Sequence, residues 1–214
     1  MGQRSQIYVR FPVDNGYDGK KGYGLIANYY QWNYGERMIS RCRYALEFIR
    51  DASIQEYLHW YFGSNYEKFR RYLDVNFDKK DIMISTDIIK EYVEFWEECS
   101  AKCKDEYERD FNYFVFDGQD NNNGKLLIDI RKDVVKYVFL GREAYDSDVM
   151  DAEGYMVWDN NETWRNREYI DVKTCEENIE AINGLAELMT EDEVKDFLNC
   201  KYENEPKLPL TSEK

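Results

Sequence analysis

The chain has 214 residues, 16% of them aromatic, and a formal net charge of −14. So high an aromatic content, 19 tyrosines included, excludes a disordered acidic polymer although 34% of the residues are charged, because a chain of this length and make-up can bury one sizeable core. No apolar run approaches the ~18 residues of a membrane-spanning helix. The opening MGQRSQ lacks a signal-peptide stretch, and Gln6 stands where a myristoylation signal has Ser or Thr; a cytoplasmic protein off the membrane is expected.

In chain order, residues 6–13 alternate, with Ile7, Val9 and Phe11 on one face and Tyr8 and Arg10 on the other. That period of two predicts a half-buried strand, which Pro12 ends or places at an edge. Asn15-Gly16 and Asp18-Gly19 suit a hairpin turn, and residues 23–30 form the return strand. A helix follows from about 35 to 51, its core stripe running through Met38/Ile39, Cys42, Ala45/Leu46 and Ile49. Residues 53–74 read as two helical pieces broken near 63–65, the second capped by Asn65. A short strand at 82–85 precedes a long helix capped by Thr86 and ending near 110. NYFVFDG, QDNNN and GKLLIDIR read as a hairpin, and residues 134–140 as a further strand. The stretch 141–169 reads as an irregular acidic, aromatic segment. Two helices close the chain at about 174–189 and 191–201, the second with Thr190 and Glu193 in capping-box spacing. The expected fold is α+β: a single domain over 1–202, mainly antiparallel, with strands from the N-terminal hairpin and from 112–140, covered by helices. Residues 203–214 are expected to be a flexible tail.

The charge is unevenly spread. Residues 1–80 carry 13 Lys/Arg against 9 Asp/Glu, whereas residues 81–214 carry 16 against 34. An acidic half repels nucleic acid, whose binding depends on neutralising phosphate, and steers the protein towards basic surfaces. No direct binding of double-stranded DNA is therefore expected. The alternative reading is that acidic surfaces only keep the protein in solution. On the long helix, Glu91, Glu94, Glu97, Glu98, Glu106 and Glu108 form an outward ridge. Asp146, Asp148 and Asp151 form a second acidic group that could meet a partner, hold Mg²⁺ or act as an acid–base pair. Arg37, Arg41 and Arg43 on the first long helix could bind an anion; alternatively they form a solvated face with Arg43 and Glu47 as an i,i+4 pair.

Chemistry is otherwise sparse. Five cysteines at unrelated spacings argue against a disulfide framework. Cys99 and Cys103 fall on the apolar stripe of their helix and read as core. His59 is the only histidine, which removes most zinc sites and nearly all Ser-His or Cys-His nucleophile systems. GxxxxGK[ST] and GxGxxG are both absent. QDNNNGKLLIDI places Gln119, Asn121, Asn123 and Gly124 at positions 1, 3, 5 and 6 of a calcium loop, with Asp117, Asp120 or Asp129 able to supplement it in another register. Position 1 is an amide and position 12 is Ile130, so an Asn-rich turn is the preferred reading, Ca²⁺ over 117–129 the alternative, and no cofactor is expected. Tyr155, Trp158, Trp164 and Arg165 could form a stacking platform for a base or sugar, with packing as the competing reading.

GQRSQIYVRF, YYQWNYGERMISR, QDNNNGKLLIDI and EGYMVWD together resemble uncharacterised acidic proteins encoded by phages and prophages of gut Firmicutes. The resemblance covers the first 50 residues and the region 110–160, and it transfers no functional residue. What it implies is a mobile-element accessory gene, a class that includes inhibitors of host defence such as anti-CRISPR proteins. The expectation is a non-enzymatic protein whose acidic half engages a basic surface of a host nucleic-acid-handling protein. The alternatives are a metal-assisted hydrolase or nuclease using carboxylates near 117–151, and a virion-associated structural protein.

Overall fold

The computed structural model describes residues 4–15, 20–50, 85–99, 110–120, 122–131 and 133–207. The expected helices of 53–74, the start of the strand at 82, His59, Cys103, Glu106, Glu108 and Asn121 lie outside the described residues. Strand β1 (Arg4–Asn15) organises the rest: it pairs antiparallel with β2 (Lys20–Gln31) from Arg4↔Gln31 to Asn15↔Lys20. On its other side it runs parallel to β4 (Lys125–Ile130), from Gln6↔Lys125 to Arg10↔Asp129. Beyond Arg10 that side has no β4 partner, which is where Pro12, lacking an N–H, is tolerated. β4 turns into β5 (Val135–Leu140), while β3 (Ser85–Asp87) and β6 (Glu187–Leu188) extend the two edges. The sheet order is β3-β2-β1-β4-β5-β6, and three of its five pairings are antiparallel. The fold is α+β.

Helices cover both faces of this sheet. Among the described residues they are α1 (Glu36–Arg50), α2 (Ile88–Cys99), α3 (Phe111–Phe116), α4 (Ala152–Asn160), α5 (Val172–Leu185) and α6 (Glu191–Leu198). Ile7, Val9 and Phe11 pack with the Met38–Ile49 stripe of α1, with Tyr155 and Met156 of α4 and with Ile179 and Ile182 of α5. The opposite face, expected to meet solvent, holds a second core of Tyr8, Leu25, Leu127 and Val138 against Ile88, Tyr92, Phe116 and Phe197. β1 is therefore buried on both sides. Its alternation separates two cores, both mixing aliphatic and aromatic side chains, and the Arg10–Asp129 ion pair lies on the Tyr8 side.

Three local expectations are corrected. NYFVFDG, read as the first arm of a hairpin, falls mostly in α3: the Asp110 side chain accepts from the Tyr113 N–H at 3.0 Å and starts a helix there. The hairpin is instead 125–140. Asp87, not Thr86, starts α2, accepting from the Ile89 and Lys90 N–H groups at 3.0 and 3.3 Å. The segment 141–169 is not irregular throughout, since Asp151 caps α4 by accepting from the Gly154 N–H and a 3₁₀ turn spans Trp164–Asn166. The Thr190–Glu193 capping box forms as the spacing predicts. Residues just past 202, expected to be loose, are pinned to β2: the Glu203 N–H donates to Tyr23 O at 2.8 Å, and the Asn204 amide takes both backbone groups of Leu25.

Candidate functional site

The end of the sheet where β1 and β4 begin and β5 ends carries two open clefts that meet at Asn123 and Asp159. The larger, about 560 Å³, has Arg142, Glu143, Asp146, Asp148 and Trp158 among its walls. The smaller, about 390 Å³, is walled by Tyr34, Asn160, Asn161, Arg167 and Tyr169 as well as the shared pair. Four residues with positive φ surround this end: Trp32 (62°), Gly35 (49°), Gly124 (81°) and Asn161 (69°). Left-handed backbone at a tryptophan is costly and persists only where its surroundings enforce it. Gly124 is demanded twice over, since a Cβ there would also sit 2.6 Å from Leu140 O.

Side chains here are held in place. Asn123 accepts from the Arg4 N–H at 3.2 Å and donates to Asp159 Oδ1 at 2.9 Å, while its own N–H donates to Arg4 O. Burial raises the Asp159 carboxyl above its ordinary range, against the hydrogen bonds it accepts from Asn123 and the Gly35 N–H. The Tyr155 hydroxyl donates to Asn123 O at 2.8 Å. The Asn-rich turn therefore serves as the clamp between the start of β1, the start of β4 and the end of α4.

This clamp corrects the calcium-loop geometry. Asp117 does not turn towards Asn123; its carboxylate accepts from the Ala144 N–H at 2.6 Å and the Tyr145 N–H at 3.4 Å, and faces the buried Lys125 ammonium at 3.2 Å. Lys125 also donates to Arg142 O, and burial lowers its pKa although Asp117 opposes that shift. These three donors hold the carboxylate against the 144–145 backbone and Lys125 rather than on the Asn-rich turn. Gln119 is half-buried on the α3–β4 turn, and Asp120 is paired outward with Arg4 at 2.7 Å. Among the described residues, no group of three or more His, Cys, Asp or Glu side chains is placed to hold a metal ion.

The arginines expected to act together do not form one patch. Arg37 is exposed near the Tyr34 ring, 5.9 Å from its centroid. Arg41 is buried over Tyr30 at 5.3 Å, so it lies inside the stripe it was expected to flank. Arg43 joins Glu47 at 2.8 Å and Asn178 of α5 at 3.0 Å, the i,i+4 pair plus a tie between helices. The aromatic platform is likewise dispersed: Tyr155 and Trp164 are core residues, and Arg165 stacks on Trp164 while binding Glu153 and Glu176. Trp158 alone reaches a cleft wall.

Of the acidic residues, Asp146 and Asp148 are exposed on the larger cleft, whereas Asp151 is occupied as the α4 cap. Glu94, Glu97 and Glu98 are exposed on the outer side of α2, and Glu91 is half-buried. Burial, then Glu94 and Asp87, raises the Glu91 carboxyl. The inner side of α2 explains this orientation, because Tyr92 packs edge-on against Phe111 and Phe114 with centroids 5.3 and 5.1 Å away. Carboxylates are not confined to one layer, however: Glu176, Glu177 and Glu180 are exposed on α5, across the sheet. Arg43–Glu47, Arg165–Glu153, Arg165–Glu176 and Lys173–Glu177 pair up on the α1/α4/α5 side, whereas among the described residues of α2 the ion pair is Lys90–Glu94. On the α2 face carboxylates of α6 are paired as well, Asp196 with Arg10 and Glu193 with Arg131 and Lys136, so it is α2 itself that stands out.

Tyr34, Asp159, Asn160, Arg167 and Tyr169 belong to no catalytic or ligand-binding motif in the sequence; the signals it offers here are the runs NYG at 33–35 and DNN at 159–161, which accept positive φ. Among the described residues no helix is long and apolar enough to cross a membrane. No family model, curated protein or solved structure matches the chain.

Proposed function

We propose that the protein is an interaction protein that docks the outer face of α2 against a basic surface of a nucleic-acid-handling protein. The observation that carries this reading is the ridge of Glu91, Glu94, Glu97 and Glu98, balanced among the described residues by a single i,i+4 lysine. Its inner face is fixed by aromatic packing, so the carboxylates are presented without the ordering cost of a loop. Glutamates three, four and seven positions apart share one side of a helix and can together replace several phosphates on a basic partner. Such contact works through steering and charge complementarity, and it competes with nucleic acid for the same lysines and arginines. The resemblance to phage-encoded proteins adds the setting in which that competition would be inhibitory.

Affinity purification from the native host, repeated over a salt series, tests this. The expected result is a basic partner recovered at low salt, lost as salt rises, and not recovered by Glu94→Lys/Glu97→Lys/Glu98→Lys. A partner that binds the triple variant equally, or whose recovery ignores salt, overturns the reading.

A further inference from the structure

We propose that the two clefts joined at Asn123 and Asp159 form one furrow that binds a neutral oligosaccharide, with Trp158 as its stacking surface. The proposal stands independently of the acidic α2 face. A sugar ring offers an apolar C–H face and a rim of hydroxyls that both donate and accept, so its site needs a fixed aromatic face beside groups of mixed hydrogen-bonding capacity.

Both are present. Trp158 lies over two glycines: a Cβ at Gly124 would be 3.1 Å from its Cζ3, and one at Gly141 would be 3.5 Å from its Cζ2. The Tyr155 ring supports it from 5.9 Å, yet the residue remains 38% exposed and lines the larger cleft. The indole thus rests on bare backbone and shows its free surface to the furrow. At the other end stands Tyr169, 63% exposed, in the smaller cleft with Tyr34.

Between these aromatic ends come amides, a carboxyl and a guanidinium. Asn123 and Asp159 are locked to each other and to the backbone, so little order is lost when they meet a ligand. Arg167 spends one Nη2 hydrogen bond on Asn160 O at 3.3 Å, while its buried Nε has no partner among the described residues. The two volumes, about 560 and 390 Å³, fall in the range of small-molecule sites.

Charge narrows the ligand class. Glu143, Asp146 and Asp148 on the wall of the larger cleft repel phosphates and carboxylates. Arg142 and Arg167, one on each cleft, oppose a polycation. A neutral, hydroxyl-rich chain meets neither penalty.

Titration of the full chain with chitotriose, cellotriose and maltotriose, read on the Trp158 indole N–H by NMR, tests this. At least one trisaccharide is expected to saturate with Kd of about 10 μM to 1 mM, unchanged by salt because no net charge is involved. Trp158→Ala and Tyr169→Ala are each expected to weaken it about tenfold or more. Tyr169 is a surface residue, so its variant decides the matter if Trp158→Ala lowers Tm. The proposal is overturned if none of the three sugars saturates, if binding survives both variants, or if spermidine or inorganic phosphate shifts the indole signal instead.

Discussion

Arg10 and Asp129 are register partners across the parallel β1–β4 pair, and they meet through two hydrogen bonds of 2.8 and 2.7 Å with both side chains buried, at 2% and 0% exposure. Tyr23 and Phe197 flank the guanidinium with ring centroids 4.8 and 4.9 Å away. Burial alone would lower the Arg10 pKa, but Asp129 and Asp196 outweigh it and the group is held above its usual range. Removing one partner leaves a buried charge uncompensated, which costs about 3–5 kcal/mol, whereas replacing a whole pair by apolar residues is often nearly neutral. Asp129→Ala leaves the buried Arg10 with only the exposed Asp196 as an ion-pair partner among the described residues, so a loss of about 3 kcal/mol is expected in urea unfolding, and Arg10→Met/Asp129→Leu should lose markedly less. Equal losses would show that the pair stabilises the fold outright.

The same network continues outward through Arg131 to Glu193, which also receives Lys136 at 2.8 Å. Burial disfavours the Glu193 carboxylate, yet Lys136, the Thr190 N–H and Arg131 outweigh it and hold the pKa down at about 2. A folded-state pKa below the unfolded value contributes stability that is present above pH ~4.3 and is lost as pH falls through about 2. Thermal unfolding of the wild type should lose Tm steadily from pH 5 to pH 2, while Glu193→Gln starts lower and falls less. Parallel curves would refute the linkage.

Much of this architecture was legible because it is local. The α1 stripe recurs every three or four residues, and Thr190-x-x-Glu193 spells its own cap. Residues misread were those whose partner is distant or whose composition misleads. Arg10 reads as a solvent-facing residue until Asp129, 119 positions away, is brought beside it. Phe-Asn-Tyr-Phe-Val-Phe has the aromatic and β-branched content of a strand, and one aspartate at 110 decides otherwise. The furrow was least legible. Trp158 reads together with Tyr155 and Trp164, which are core, and Arg165, which is paired at the surface; the positive φ of Trp32 has no sequence signal at all, because nothing about tryptophan favours it.

Asp117 holds the start of the 141–169 segment to the second core, through the Ala144 N–H at 2.6 Å and the Lys125 ammonium. Asp117→Ala leaves that ammonium buried with only the Arg142 carbonyl among its described partners. A loss of about 3–5 kcal/mol is expected, together with faster hydrogen exchange at Ala144. Lys125→Met should be milder, since Asp117 keeps its two backbone donors. Should the lysine variant prove the more damaging, the ammonium rather than the carboxylate is the anchor.

Asn204 completes the β2 edge without being a strand residue. Its Oδ1 accepts from the Leu25 N–H at 2.9 Å and its Nδ2 donates to the Leu25 carbonyl at 2.8 Å, as a neighbouring peptide would. The adjoining Tyr202 bridges Tyr23, and its hydroxyl donates to Phe197 O at 2.7 Å, tying the strap to α6. An unpaired edge is both costly and a template for pairing with another chain. Asn204→Ala should therefore cost about 1–3 kcal/mol, with exchange at the Leu25 amide rising well beyond that at Tyr8, deep in the same sheet. Asn204→Asp keeps the acceptor and loses the donor, so it should protect the Leu25 amide yet recover only part of the stability. Leu25 exchange unchanged in the alanine variant would mean that Tyr202 and Glu203 alone hold the strap.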